Sequence, residues 1–354
     1  MQSNGMPLEV SKLLQQGTVI PAHPLALRSN LKIDEQRQRA LTRYYMHCGA
    51  GGIAVGVHTT QFEIRKPEIN LYEPVLRIAA DEIEKMQLNR PFIKVAGICG
   101  STDIALQEAE TALKYGYHLG LVSMGGLAAY SELDLIKRIE AIAAMIPVFG
   151  FYLQPAVGGR VLSYAFWKDF AEISNVHAIK VAAFNRYHTL DVVRAVCNAS
   201  RVNEIALYTG NDDNIVADLL TPYRFPVNGT VIEKRFVGGL LGHWAVWTKK
   251  AVELFNEIKL SLKNNNEGIE KLLSKGIEVT DMNAVIFDAD NNFKGCIAGI
   301  HEVLRRQGLL EGTWCLNPQE KLSIKQAVEI DRICKDYAHL TDDTFVKDFL
   351  ATDE

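Results

Sequence analysis

The chain has 354 residues, 48% hydrophobic and 23% charged, enough to bury a large core. A net charge of −4 offers no basic footprint for nucleic acid or an anionic membrane, and no apolar run of about 18 residues exists to cross a bilayer. The N-terminus lacks a signal-peptide pattern and the six cysteines (Cys48, Cys99, Cys197, Cys296, Cys315, Cys334) form no C-x-x-C pair, so a cytoplasmic protein with reduced thiols and no zinc site is expected.

Residues 1–16 read as an N-terminal extension. From residue 17, short apolar runs alternate with amphipathic stretches. Strands are predicted at 19–20, 52–57, 92–96, 118–123, 148–153, 178–182, 204–208 and 236–241. Helices are predicted between them at 34–48, 103–115, 131–145, 163–174 and 189–198, with Asp34, Thr102 and Ser131 as cap candidates. Continuously apolar strands alternating with helices imply a parallel sheet buried on both faces. Eight units fit an α/β fold closed as a (β/α)8 TIM barrel over residues 17–262. An open doubly wound sheet is the competitor, weakened because no G-x-G-x-x-G follows the first strand. After the polar break at 264–268, residues 263–354 read as a helical C-terminal region, clearest at 294–307 and 318–337.

Functional groups of a parallel barrel gather where the strands end. Polar residues stand there: His58-Thr59-Thr60-Gln61, Ser123, Tyr152 with Gln154, Lys180, Gly210-Asn211-Asp212-Asp213, and Gly242-His243. Lys180 is a single ammonium in an apolar strand. Desolvation lowers such a pKa and frees the amine to attack a carbonyl. The plain alternative is a lysine that reaches solvent or pairs with a core carboxylate. For Tyr152 it is a barrel aromatic with a satisfied hydroxyl, and for the threonines a turn. A metal site built from His23, His58, His243 and Asp212 gains no support from ligand spacing.

The Thr59-Thr60 pair, AGICGST at 96–102, FYLQP with Tyr152, and NVHAIKVAA with Lys180 together resemble the dihydrodipicolinate synthase and N-acetylneuraminate lyase superfamily of class I aldolases. The resemblance runs from about Gly17 to about Leu316. It implies that Lys180 forms a Schiff base with a small 2-keto acid, that Tyr152 shuttles protons and that Thr59 and Thr60 hold the carboxylate. His58, Gln154, Gly210, Asp212 and His243 would shape the substrate pocket. It also implies a homo-oligomer that needs neither cofactor nor metal. Departures are visible. Val157 stands where the synthases carry an arginine, with Arg160 nearby. Ser123-Met124-Gly125-Gly126 replaces a tyrosine loop, with Tyr130 further on, and His58 replaces a glycine. A true dihydrodipicolinate synthase is therefore not expected. Gly210-Asn211-Asp212-Asp213 resembles the lyases' G-x-D-E segment. The expected function is a lyase or aldolase; the alternatives are a sugar-acid dehydratase or a non-catalytic binder of keto or sugar acids.

Overall fold

The computed structural model describes residues 5–353. In chain order come α1 (Leu8–Gln16), β1 (Val19–Pro21), α2 (Glu35–Cys48), β2 (Gly52–Val55), α3 (Tyr72–Lys85), β3 (Ile93–Ile98), α4 (Thr102–Lys114), β4 (Leu119–Val122), α5 (Glu132–Ala143) and β5 (Val148–Leu153). Then follow α6 (Tyr164–Glu172), β6 (Val176–Ala182), α7 (Arg186–Cys197), β7 (Ala206–Thr209), α8 (Ile215–Leu220), β8 (Tyr223–Val227), β9 (Thr230–Lys234), β10 (Phe236–Leu241) and α9 (Thr248–Lys263). The last helices are α10 (Ile269–Ile286), α11 (Cys296–Arg306), α12 (Gln326–Asp336) and α13 (Asp343–Thr352).

Eight strands pair in parallel in the order β1-β10-β7-β6-β5-β4-β3-β2, and a parallel bridge between Ala22 and Ala54 joins the two ends. This is the expected (β/α)8 barrel with C-terminal helices. Each predicted strand is found within a few residues. The antiparallel hairpin β8–β9 was not predicted; it stands outside the ring with alternating exposure, so its apolar content is too low to read as a buried strand.

Local signals explain the helix starts. Asp34 accepts the Arg37 amide at 3.2 Å, and Ser131 makes a reciprocal cap with Asp134. Thr102 is the first residue of α4 rather than its cap; Ser101 precedes it. The helix expected over 318–337 begins only at Gln326, after Lys325 takes a left-handed conformation with φ 73°.

Two apolar layers result. Side chains of alternate strand positions fill the barrel, among them Ile20, Val95, Leu121, Phe149, Phe151, Ala178 and Tyr208. The other set packs on the helices. Beneath the barrel, α1 closes the floor with Val10 and Leu14, and the Tyr208 hydroxyl donates to the Leu14 carbonyl at 2.9 Å. Above it, the segment from Phe287 through α11 forms a roof. Buried Gln326 stitches that roof: its amide nitrogen donates to the carbonyls of Val285 at 3.1 Å, Ile286 at 3.3 Å and Gly295 at 3.1 Å. Among the described residues, no helix is long and apolar enough to cross a membrane.

Candidate active site

Lys180 points into the barrel. It shares an inward-facing row with Ala178 and Ala182, and it lines a cavity under the roof. Its amine has no hydrogen-bond or ion-pair partner among the described residues, and its Nζ lies 4.4 Å from the centre of the Phe151 ring. Burial draws its pKa well below the usual lysine range, while the charge of Asp212 pulls the other way. Asp212, on the loop after β7, lines the same cavity. Burial pushes its carboxyl well above the usual aspartate range, opposed by the backbone N–H of His243, which donates to Oδ1 at 2.9 Å, and by Lys180. The pair therefore brings together an amine easily deprotonated and a carboxyl easily protonated.

Gly210 is required beside the lysine. A Cβ there would stand 2.6 Å from Lys180 Cε. His58, Thr59 and Gln154 complete the polar lining. Burial, then the charge of Lys180, lowers His58 to about 4, so the imidazole is neutral near pH 7 and offers one N–H. The rest of the lining is apolar: Ala22, Val57, Phe151, Leu153, Val157, Ala182 and Phe184 from the barrel, and Phe287, Phe293, Cys296 and Ile300 from the roof. A second cavity shares His58, Val157 and Phe293 and adds Gln61, Glu63, Lys294, Asn317 and Glu320.

Three expectations are corrected. Tyr152 is not in the cavity. It faces the helical layer, 1% exposed, stacked on Trp167 at 5.3 Å and on His188 at 6.0 Å. The cause is strand parity: Phe151 pairs with Lys180, so its neighbour must face the other way. Gly150 confirms the parity, because a Cβ there would meet Phe170 of α6 at 2.6 Å. Thr60 also lies outside the cavity. Its hydroxyl donates to the His23 carbonyl at 2.7 Å and accepts the Gly56 and Val57 amides, which spends it on the turn after β2. Thr59 keeps its place in the lining, although its hydroxyl donates to the same carbonyl at 3.3 Å. The His243 ring points towards Trp247, 6.0 Å away, leaving only its backbone to serve Asp212.

His23 is a core residue, bonded to Thr42, Gln38 and the Pro24 carbonyl. Arg160 donates to the carbonyls of Leu127 and Tyr130 and so pins the loop after β4; neither Arg160 nor Tyr130 lines the cavity. Among the described residues, no group of three or more His, Cys, Asp or Glu is placed to hold a metal ion.

No protein-family model and no curated protein matches the chain. Solved structures do. Dihydrodipicolinate synthase from Oceanobacillus iheyensis superposes with a TM-score of 0.72 at 17% identity, over 93% of this chain and 99% of that one. N-acetylneuraminate lyase from Fusobacterium nucleatum gives 0.69 at 18% identity, over 91% and 99%. A prophage protein of the dihydrodipicolinic acid synthase family from E. coli K12, in complex with pyruvate, gives 0.70 at 17% identity, over 90% and 98%. The chain shares the (β/α)8 fold of these solved structures.

The lining residues missed from sequence are mostly aromatic. Phe151 carried no signal of its facing, because β5 is apolar and buried on both sides. The roof residues Phe287, Phe293, Cys296 and Ile300 carried no local signal. They reach the cavity only because α10 and α11 fold back over the barrel. Asn283 of α10 was missed for the same reason; its amide donates to the Asp212 carbonyl at 2.6 Å and fixes the loop that carries the carboxylate.

Proposed function

We propose that this protein is a Schiff-base lyase or aldolase acting on a small 2-keto acid. The observation that carries the reading is the unpartnered amine of Lys180, held in a cavity between barrel and roof beside a carboxyl of raised pKa. A buried lysine without a partner costs stability, which is a reason to expect chemistry there.

These residues can supply each step of the proposed reaction. The neutral amine attacks the C2 ketone, and loss of water leaves a protonated imine whose charge lies near the face of Phe151. In cleavage, the Asp212 carboxylate takes the proton of the C4 hydroxyl. The electrons of the C3–C4 bond pass to the iminium, giving an enamine and an aldehyde. Protonated Asp212 returns the proton to C3, and water then releases the keto acid and the free amine. Condensation is the reverse. The neutral His58 ring and Thr59 would hold the substrate carboxylate by hydrogen bonds. The scheme is complete without a cofactor. No arginine lines the cavity, which supports a reaction other than that of dihydrodipicolinate synthase.

The experiment is borohydride trapping with pyruvate and other 2-keto acids, read by mass spectrometry. The parent is expected to gain one reduced adduct at Lys180 and Lys180→Ala none. Equal labelling of the variant would remove the nucleophile assignment. Asp212→Asn is expected to keep trapping while turnover falls by about 10²–10⁴-fold.

One observation favours a second reading. Phe151, opposite Lys180, has no proton to exchange, as suits a protein that holds a keto acid as its imine without turning it over. Trapping with no product from any partner aldehyde would select that reading.

A further inference from the structure

We propose that the portion of the substrate beyond the keto acid is apolar, an aryl or branched alkyl group, and that the cavity excludes polyhydroxylated chains. The inference rests on the Schiff-base reading above and names the substrate class for it.

Five polar side chains line the cavity, and four of them (His58, Thr59, Lys180 and Asp212) are engaged by the keto acid and the reacting bond. Within this cavity Gln154 is the polar side chain that remains for the distal part. Facing it are Val157, Phe184, Phe287, Phe293 and Ile300. A sugar chain pressed against these walls would give up hydrogen bonds to water and regain almost none. A flat or branched apolar group meets complementary surface instead.

The backbone points the same way. Phe184 and Phe293 both adopt left-handed conformations, with φ of 49° and 63°. Bulky side chains rarely occupy that region, and such strain is retained where the surroundings hold it in place, commonly at functional sites. The amide of Phe184 is fixed by Asn211 Oδ1 at 2.9 Å. The two rings meet edge to face, 5.7 Å apart, one from the barrel and one from the roof. Two strained residues thus build one aromatic wall of the cavity.

The test condenses pyruvate with benzaldehyde or isobutyraldehyde, and in parallel with D-glyceraldehyde or N-acetylmannosamine, and quantifies the 4-hydroxy-2-keto acid products. Borohydride trapping with pyruvate alone runs beside it. The expected result is trapping at Lys180 and a kcat/KM for the apolar aldehydes higher by about 100-fold. Equal rates, a preference for the polyhydroxylated pair, or trapping without condensation of either apolar aldehyde would overturn the inference while leaving the imine assignment standing. Absence of trapping would overturn both. Phe293→Asn, which suits a positive φ and places an amide in the wall, is expected to narrow the preference at least about tenfold. An unchanged preference in that variant would remove the aromatic wall as its cause.

Discussion

A single residue of β5 separates the chemistry expected from the sequence from the chemistry the site can support. Tyr152 and Phe151 are adjacent, yet the pleat sends them to opposite faces. The phenol stacks on Trp167, and its hydroxyl is turned to the backbone of Leu162 rather than to Lys180. Tyr152→Phe is therefore expected to leave kcat within about threefold of the parent; a fall of 10²-fold or more, the effect of losing a proton-transfer group, would return Tyr152 to the mechanism. Lys180 sets the pH dependence. Its pKa is lowered, so the ammonium gives up its proton at a lower pH than an ordinary lysine, near 10.4. Borohydride trapping should rise with pH and level off well below that value. A profile still climbing at about pH 10, or flat down to about pH 4, would contradict a buried amine nucleophile.

At the scale of elements, the neighbouring strands β5, β6 and β7 hold the site in register. Phe151 stands opposite Lys180, and Lys180 opposite Tyr208. Just beyond β7, Gly210 leaves room for the lysine stem. In Gly210→Ala the new Cβ would meet Lys180 Cε at 2.6 Å and Ala182 Cβ at 2.8 Å. The amine must then shift by a fraction of an ångström or more, and such misplacement costs up to about 10²-fold in rate. The expected outcome is a barrel with unchanged circular dichroism and strongly slowed trapping. Parent-like trapping would show that the close approach of these strands does not position the amine. The β-α alternation that builds this ring was legible in the sequence, because each strand is an apolar run and most helices begin at a polar cap. The facing of each strand was less legible. Strands buried on both sides carry no polar alternation to reveal which residues point inward.

For the whole molecule, the decisive feature is the roof laid over the barrel by the C-terminal helices. Gln326 ties α10 to α11, and its amide nitrogen reaches three carbonyls within 3.3 Å. Gln326→Ala strands those carbonyls and is expected to lower stability by about 1–3 kcal/mol, visible as a reduced Tm. Because Phe287, Phe293 and Ile300 hang from the same roof, KM should rise more than the rate of imine formation falls. A variant with parent Tm and parent KM would show that the roof does not depend on this side chain. Farther out, the Tyr44 hydroxyl donates to Asp342 at 2.6 Å and Arg43 pairs with both Glu82 and Asp353. The end of the chain is thereby fastened to α2, whose Arg43 also reaches Glu82 of α3.

The sequence by itself determined the alternation of strands and helices, a parallel sheet buried on both faces and the lysine buried within it. These follow from local hydrophobic pattern and from the burial of a lone charge. Tertiary structure alone decided that the ring closes, which face of β5 looks inward, and that phenylalanines from residues 184 and 293 meet across the cavity. Each of those depends on the register between strands or on a distant helix folding back. No stretch of contiguous residues carries that information.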